Sequence, residues 1–131
     1  MSPSDNPHIL VVDDFHDNLL LISMFFESEN YQVEAAQNGK EALEKIELSP
    51  PDLVLMDVRL PDISGIEVAQ QLRQNPQFVS LPIILLTGDL EISFEEVSKL
   101  GVNGLFHKPI DLVALLEQVK VACCATSISQ T

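Results

Sequence analysis

The chain has 131 residues, a formal net charge of −13 from 20 Asp+Glu against 7 Lys+Arg, and 46% hydrophobic residues. That length fits one domain, able to bury a core without disulfides or structural metal. The acidity excludes a nucleic-acid or anionic-membrane surface, because both need clustered Lys and Arg.

The first apolar segment, Ile9–Val12, is short and β-branched, as strands buried on both faces are. Asp17 is placed to cap a helix running to about Glu29, with Leu20, Leu21, Met24 and Phe25 on its inner side. Tyr31–Ala36 alternates apolar and polar residues, as a half-exposed edge strand does. A second helix over Gly39–Ile46 turns Ala42, Leu43 and Ile46 inward, and Glu41 and Lys45 stand i, i+4 in the favourable order. Leu53–Met56 is a further buried strand. Ser64 caps a third helix through Ile66, Val68, Ala69 and Leu72, which Pro76 ends. Ile83–Leu86 reads as a strand, about Ser93 to Leu100 as a short helix stopped by Gly101, and Gly104–His107 as a weaker strand. Asp111 caps a last helix with Val113, Leu115, Leu116 and Val119 on its apolar face. Five alternations of strand and helix predict an open parallel α/β sheet with helices on both faces. The unit spans residues 7–124, between short polar tails at 1–6 and 125–131.

The compartment is read from what the sequence lacks. Met1–His8 has neither a basic stretch nor an apolar one, so it is not a signal peptide. The richest apolar run, Leu19–Phe26, falls far short of the roughly 18–20 residues that span a bilayer. Cys123 and Cys124 are adjacent and form no disulfide framework; they read as small helix-end residues. A reducing cytoplasm is the expected setting.

In open parallel sheets, sites form beyond the carboxyl ends of the strands. The first strand ends in Asp13-Asp14, the third in Asp57, the fourth in Thr87 and the last in Lys108-Pro109. Alone, each aspartate is an ordinary helix cap, Thr87 a turn residue and Lys108 a solvated surface charge. Together they bring three carboxylates, a hydroxyl and an ammonium to one rim. Crowded carboxylates repel unless a cation sits among them, and oxygen donors suit Mg2+ above all. The charge asymmetry agrees, since thirteen of the twenty acids precede Ile66, including these three.

The segments Val12-Asp-Asp14, Asp57-Val-Arg-Leu-Pro61 with Ser64-Gly65, Leu86-Thr87-Gly88 and Lys108-Pro109 together resemble the receiver domain of two-component response regulators. The resemblance implies a doubly wound, flavodoxin-like five-stranded sheet of order 2-1-3-4-5. It implies that Asp57 takes a phosphoryl group from a sensor histidine kinase or a histidine phosphotransfer protein. Asp14, Asp57 and the carbonyl of Arg59 would hold Mg2+ directly, and Asp13 mainly through water. Thr87 would bind a phosphoryl oxygen, and Lys108, aimed by a cis bond to Pro109, would pair with the carboxylate and then the phosphoryl group. A shift of the fourth helix and fifth strand would then alter their shared face with the fifth helix, where a downstream protein binds. The implied role is a cytoplasmic, phosphorylation-dependent switch, stand-alone or cut from a larger regulator or hybrid kinase. It has no nucleic-acid or membrane partner. Gly65 would serve a tight turn.

Some positions depart from the common receiver pattern. Arg59 and Asp89 would lie on opposite edges of the mouth, either paired across it to screen an acyl phosphate or standing as two solvated loop charges. Leu105 stands where receivers usually carry Tyr or Phe, and Phe106 beside it reads as core. His107 reads as turned away from the pocket, and neither His8 nor His16 as a ligand. Two other classes fit less well. Mg2+-dependent phosphohydrolases with an aspartyl nucleophile carry an acid two residues later, where this chain has Arg59. No Gly-rich phosphate loop follows the first strand, as a nucleotide-binding fold would need.

Overall fold

The apolar runs become the interior of a sheet. The computed structural model describes residues 6–129. Strands β1 (His8–Val12), β2 (Gln32–Ala36), β3 (Leu53–Asp57), β4 (Ile83–Thr87) and β5 (Gly104–His107) alternate with helices α1 (His16–Ser28), α2 (Gly39–Leu48), α3 (Gly65–Gln74), α4 (Phe94–Val97) and α5 (Leu112–Ser129). The strands are all parallel, in the order β2-β1-β3-β4-β5. This is the doubly wound, flavodoxin-like sheet expected from the sequence. Every residue of β3 and β4 is buried, whereas β2, paired only with β1, is mostly half-exposed, as its alternation predicts.

Alternate strand residues feed two cores. Leu10, Val12, Val54, Met56, Ile83 and Leu85 pack with Ala42, Ile46, Val68 and Leu72 of α2 and α3. Ile9, Val11, Leu53, Leu55, Ile84 and Leu86 pack with Leu19, Ile22, Phe26, Leu115 and Val119 of α1 and α5. Helices on both faces account for strands that are apolar at every position. Side-chain caps set several helix starts. Asn38 accepts from the Glu41 amide, Ser64 from Glu67, and Asp111 from Ala114. Ser93 and Glu96 form a reciprocal capping box.

The structure corrects several expectations. Helix α1 starts one residue before Asp17, with Phe15 at its N-cap and Asp17 in its first turn. Its buried face is Leu19, Ile22 and Phe26; Leu20, Leu21 and Met24 are 49%, 58% and 58% exposed. The continuous apolar run from Leu19 to Phe26 offers two overlapping stripes at helical spacing. Only packing on the sheet selects between them. Val113 of α5 likewise faces outward, while Leu115, Leu116 and Val119 are buried. Helix α5 continues past residue 124 to Ser129, so the cysteines lie within it rather than at its end. Cys123 is a half-buried free thiol whose pKa burial pushes up to about 11, as expected of an inert packing residue. The side chain of Cys124 lies outside the described residues. No helix among the described residues is long and apolar enough to cross a membrane.

Helix α4 is a single turn that tightens into a 3-10 turn over Ser98–Leu100 and ends at Gly101, with φ of 73° in the left-handed region. Its closing carbonyls are captured from α3. The Arg73 guanidinium donates to the carbonyls of Leu100 (3.0 Å) and Gly101 (2.9 Å), and to those of Phe78 (2.8 Å) and Leu81 (2.8 Å). One half-buried cation thereby ties the end of α3, the turn before β4 and the end of α4. Removing it leaves four carbonyls to be resolvated or repaired. Arg73→Ala is expected to lower the unfolding free energy by about 2–3 kcal/mol in urea titrations, with Arg73→Lys recovering only part, because a point charge cannot match the planar fork.

Candidate functional site

Strand order reverses between β1 and β3, so the loops after these strands diverge and leave a crevice at their carboxyl ends. β1 delivers Asp13 and Asp14 there, and β3 and β4 carry their pairing one residue beyond their apolar runs, to Asp57 and Thr87. β5 delivers Lys108, whose amide bonds the Thr87 carbonyl at 2.7 Å and whose peptide bond to Pro109 is cis. The five residues expected at this rim therefore meet, lining an open cleft of about 740 Å³.

Each side chain is held differently. Asp13 is fully buried; one carboxylate oxygen accepts from the Phe15 amide (2.9 Å) and the other from Lys108 Nζ (3.3 Å). Asp57, also buried, takes Lys108 Nζ at 2.7 Å and the Arg59 amide at 3.2 Å. Asp14 lies exposed at the lip, yet an oxygen from each of the three carboxylates falls within 4.8 Å of the others. Thr87 is buried, and its hydroxyl oxygen accepts from the Asp89 amide at 3.0 Å.

Two buried carboxylates share one ammonium, and the electrostatics follow. Burial raises the Asp57 pKa above the ordinary value; Lys108 opposes this and the Asp13 charge adds to it. Burial also works against charged Lys108, but its hydrogen bond and attraction to Asp57, with those of Asp13, outweigh it and raise its pKa. The ammonium thus stays charged, and Asp57 is left harder to ionise than an ordinary aspartate.

The wall opposite the acids has its own supports. A Cβ on Gly65 would overlap the Asp57 carbonyl oxygen. Gly65 opens α3 rather than forming a turn, and its absent side chain is what lets the helix approach the end of β3. Asp62 accepts from the amides of Gly39 and Lys40 (both 2.8 Å), tying this loop to the start of α2. Nothing in the sequence around Asp62 marks that role, because its partners lie 22 and 23 residues away. Phe15 and Leu90 were also missed; both are well exposed and flank the cleft.

Arg59 and Asp89 line the cleft as expected, but no ion pair joins them among the described residues. The Asp89 carboxylate instead accepts from the Glu91 amide at 2.9 Å and shapes its own loop. Leu105 packs into the core beneath α2 and α3, and Phe106 into the opposite one. His107 does not line the cleft; its Nε2 meets the Ile92 carbonyl at 2.8 Å. His8 pairs with Glu34 (3.2 Å) at the far end of the sheet, and His16 is exposed.

Residues 9–120 match the family model described as "Response regulator receiver domain". Sporulation initiation phosphotransferase F of Bacillus subtilis is 33% identical over 115 residues, covering 88% of this chain and 92% of its own length. The "Probable cyclic di-GMP phosphodiesterase" of Vibrio cholerae is 38% identical over 112 residues, and the match spans only 25% of its length; several other curated relatives are spanned for about half or less. The crystal structure of a CheY-like response regulator receiver domain protein from Methanospirillum hungatei superposes with a TM-score of 0.87 at 29% identity, covering 95% of this chain and 98% of that one.

The raised pKa of Asp57 makes a prediction about stability. A carboxyl that holds its proton more tightly folded than unfolded disfavours folding once it ionises. Its contribution is therefore lost as pH rises from the ordinary aspartate value of 3.8 through the raised folded value. Denaturant titrations at a series of pH values should show wild type losing stability relative to Asp57→Asn across that window, and a level difference from there to neutral pH, below the range where Lys108 titrates.

Proposed function

Because the chain belongs to the response regulator receiver domain family, and so is a phosphoacceptor of two-component signalling, we propose that Asp57 is the residue that takes the phosphoryl group. One observation carries this assignment. Asp57 is the carboxylate nearest the Lys108 ammonium, at 2.7 Å against 3.3 Å for Asp13, and it ends the strand beside the one that ends in Thr87. An oxygen of Asp57 attacks the phosphorus of a phosphohistidine on a sensor kinase or phosphotransfer protein. The P–N bond breaks as the P–O bond forms, and the histidine leaves with the electron pair. The chain supplies position and charge rather than covalent assistance.

Lys108 stays charged between the carboxylates and is placed to follow the negative charge from Asp57 onto the phosphoryl oxygens. The all-oxygen donor set fits Mg2+: Asp14, Asp57 and the Arg59 carbonyl as direct ligands, and Asp13, already engaged by Lys108 and the Phe15 amide, through water. When bound, Mg2+ supplies positive charge against the phosphoryl oxygens. Thr87 turns its hydroxyl to one of those oxygens, and the loop after β4 follows. The face of α4, β5 and α5, to which exposed Val113 belongs, is our candidate surface for a downstream protein. The functional unit is residues 7–124, acting as a switch rather than a turnover enzyme. A reducing cytoplasm suits the free thiol of Cys123.

Incubation with a small acyl phosphate and Mg2+ should place one base-labile phosphate on the chain. The label should fall to background in Asp57→Asn or on chelation of Mg2+, and by about tenfold or more in Lys108→Ala, whose lost charge-assisted bond is worth about 1.5–3 kcal/mol. A label retained in Asp57→Asn, or continuous phosphate release from many substrates, would refute the assignment.

A further inference from the structure

The loop between β4 and α4 is held at both ends by side chains. At its start, the Thr87 hydroxyl oxygen accepts from the Asp89 amide at 3.0 Å. At its end, His107 of β5 reaches across 15 residues of sequence to the Ile92 carbonyl at 2.8 Å. Between them the loop is closed by its own bonds, Ile92 amide to Asp89 carbonyl (3.2 Å) and Glu91 amide to Asp89 carboxylate (2.9 Å). Among the described residues, Thr87 at the loop's own start and His107 are the two side chains from strands that hydrogen-bond residues 88–92. A carbonyl can only accept, so His107 donates from Nε2–H; the neutral Nε2–H tautomer and the imidazolium both do so.

Ile92 packs against the core and leads directly into the Ser93 cap of α4, so the bond fixes where the helix begins. At the other end, the Cβ position of Gly88 has no neighbour within 4 Å, so Gly88 is not pinned by packing. Turning the Thr87 hydroxyl away takes the acceptor from the Asp89 amide. The loop must then rearrange, and the His107 bond resists at its far end.

We propose that His107 is a positioning latch: its bond to the Ile92 carbonyl holds the loop before α4 in the arrangement that engages Thr87 with Asp89, and so opposes the turn of Thr87 toward a phosphoryl group on Asp57. This rests on Asp57 being the phosphoacceptor. The latch is separate from the cleft, which His107 does not line. It sits two residues beyond Leu105 on the same face of β5, and the polar tie from this face to the loop is made by its imidazole.

The test is calorimetric titration of the full chain with beryllofluoride, a phosphoryl mimic, in the presence of Mg2+. His107→Leu should bind about three- to tenfold more tightly than wild type, the fold-change of one net hydrogen bond. His107→Gln, which keeps a donor near Nε2, should return affinity toward wild type. Mere damage to the fold would weaken binding, so the direction separates a latch from a structural prop. Unchanged or weaker binding by His107→Leu overturns the latch. A second readout needs no variant: the wild-type His107 Nε2–H proton resonance should shift on saturation, and one that does not move also overturns it. A wild type with no saturable binding overturns the Asp57 assignment, and the latch with it, whereas normal binding with an inert His107 overturns the latch alone.

Discussion

The site depends on one ammonium held between two buried carboxylates. Lys108 lies 2.7 Å from Asp57 and 3.3 Å from Asp13, and the three residues come from the ends of three different strands. Without the cation, two like charges would face each other in a desolvated crevice, a configuration that costs several kcal/mol in practice. With it, two carboxylates still share one positive charge, and Lys108 only partly offsets the burial that raises the Asp57 pKa. Crowded carboxylate oxygens with less than a full counter-charge suit a divalent cation.

That arrangement rests on sheet register more than on local sequence. Asp57 pairs with Leu86 and His107 with Thr87, so the strands finish nearly level and their next side chains share one rim. The register is specified because the apolar residues of β1, β3 and β4 alternate between two packed cores, and a one-residue slip would exchange their occupants. Gly65 and Asp62 complete the crevice from the other side, one by allowing close approach to β3 and the other by tying the loop to α2.

A rigid rim stands beside a loop secured by few bonds. The carboxyl ends of β1 and β3 are buried on both faces, whereas residues 88–92 hang from Thr87 at one end and His107 at the other. Such a division suits a switch, since the elements that move belong to the low-stability end of a fold. Arg73 anchors the end of α4 to α3, so the two ends of that short helix are held by different parts of the fold.

The sequence by itself determined the five alternations, the open parallel sheet and the strand-end residues Asp13, Asp14, Asp57, Thr87 and Lys108, because apolar runs and strand ends are local features. Its misjudgements fell where two local solutions were equivalent. The apolar run of α1 offers two inward stripes, and only contact with β1 and β2 chose Leu19, Ile22 and Phe26 over Leu20, Leu21 and Met24. Arg59 and Asp89 looked complementary, yet the Glu91 amide, two residues from Asp89, is the nearer claim on that carboxylate. The Arg73 clamp, the Asp62 tie and the His107 bond join residues 5 to 28 apart through backbone groups. Backbone amides and carbonyls are the same at every position, so no residue pattern announces such a partner. Only the folded chain decides which of them comes within reach.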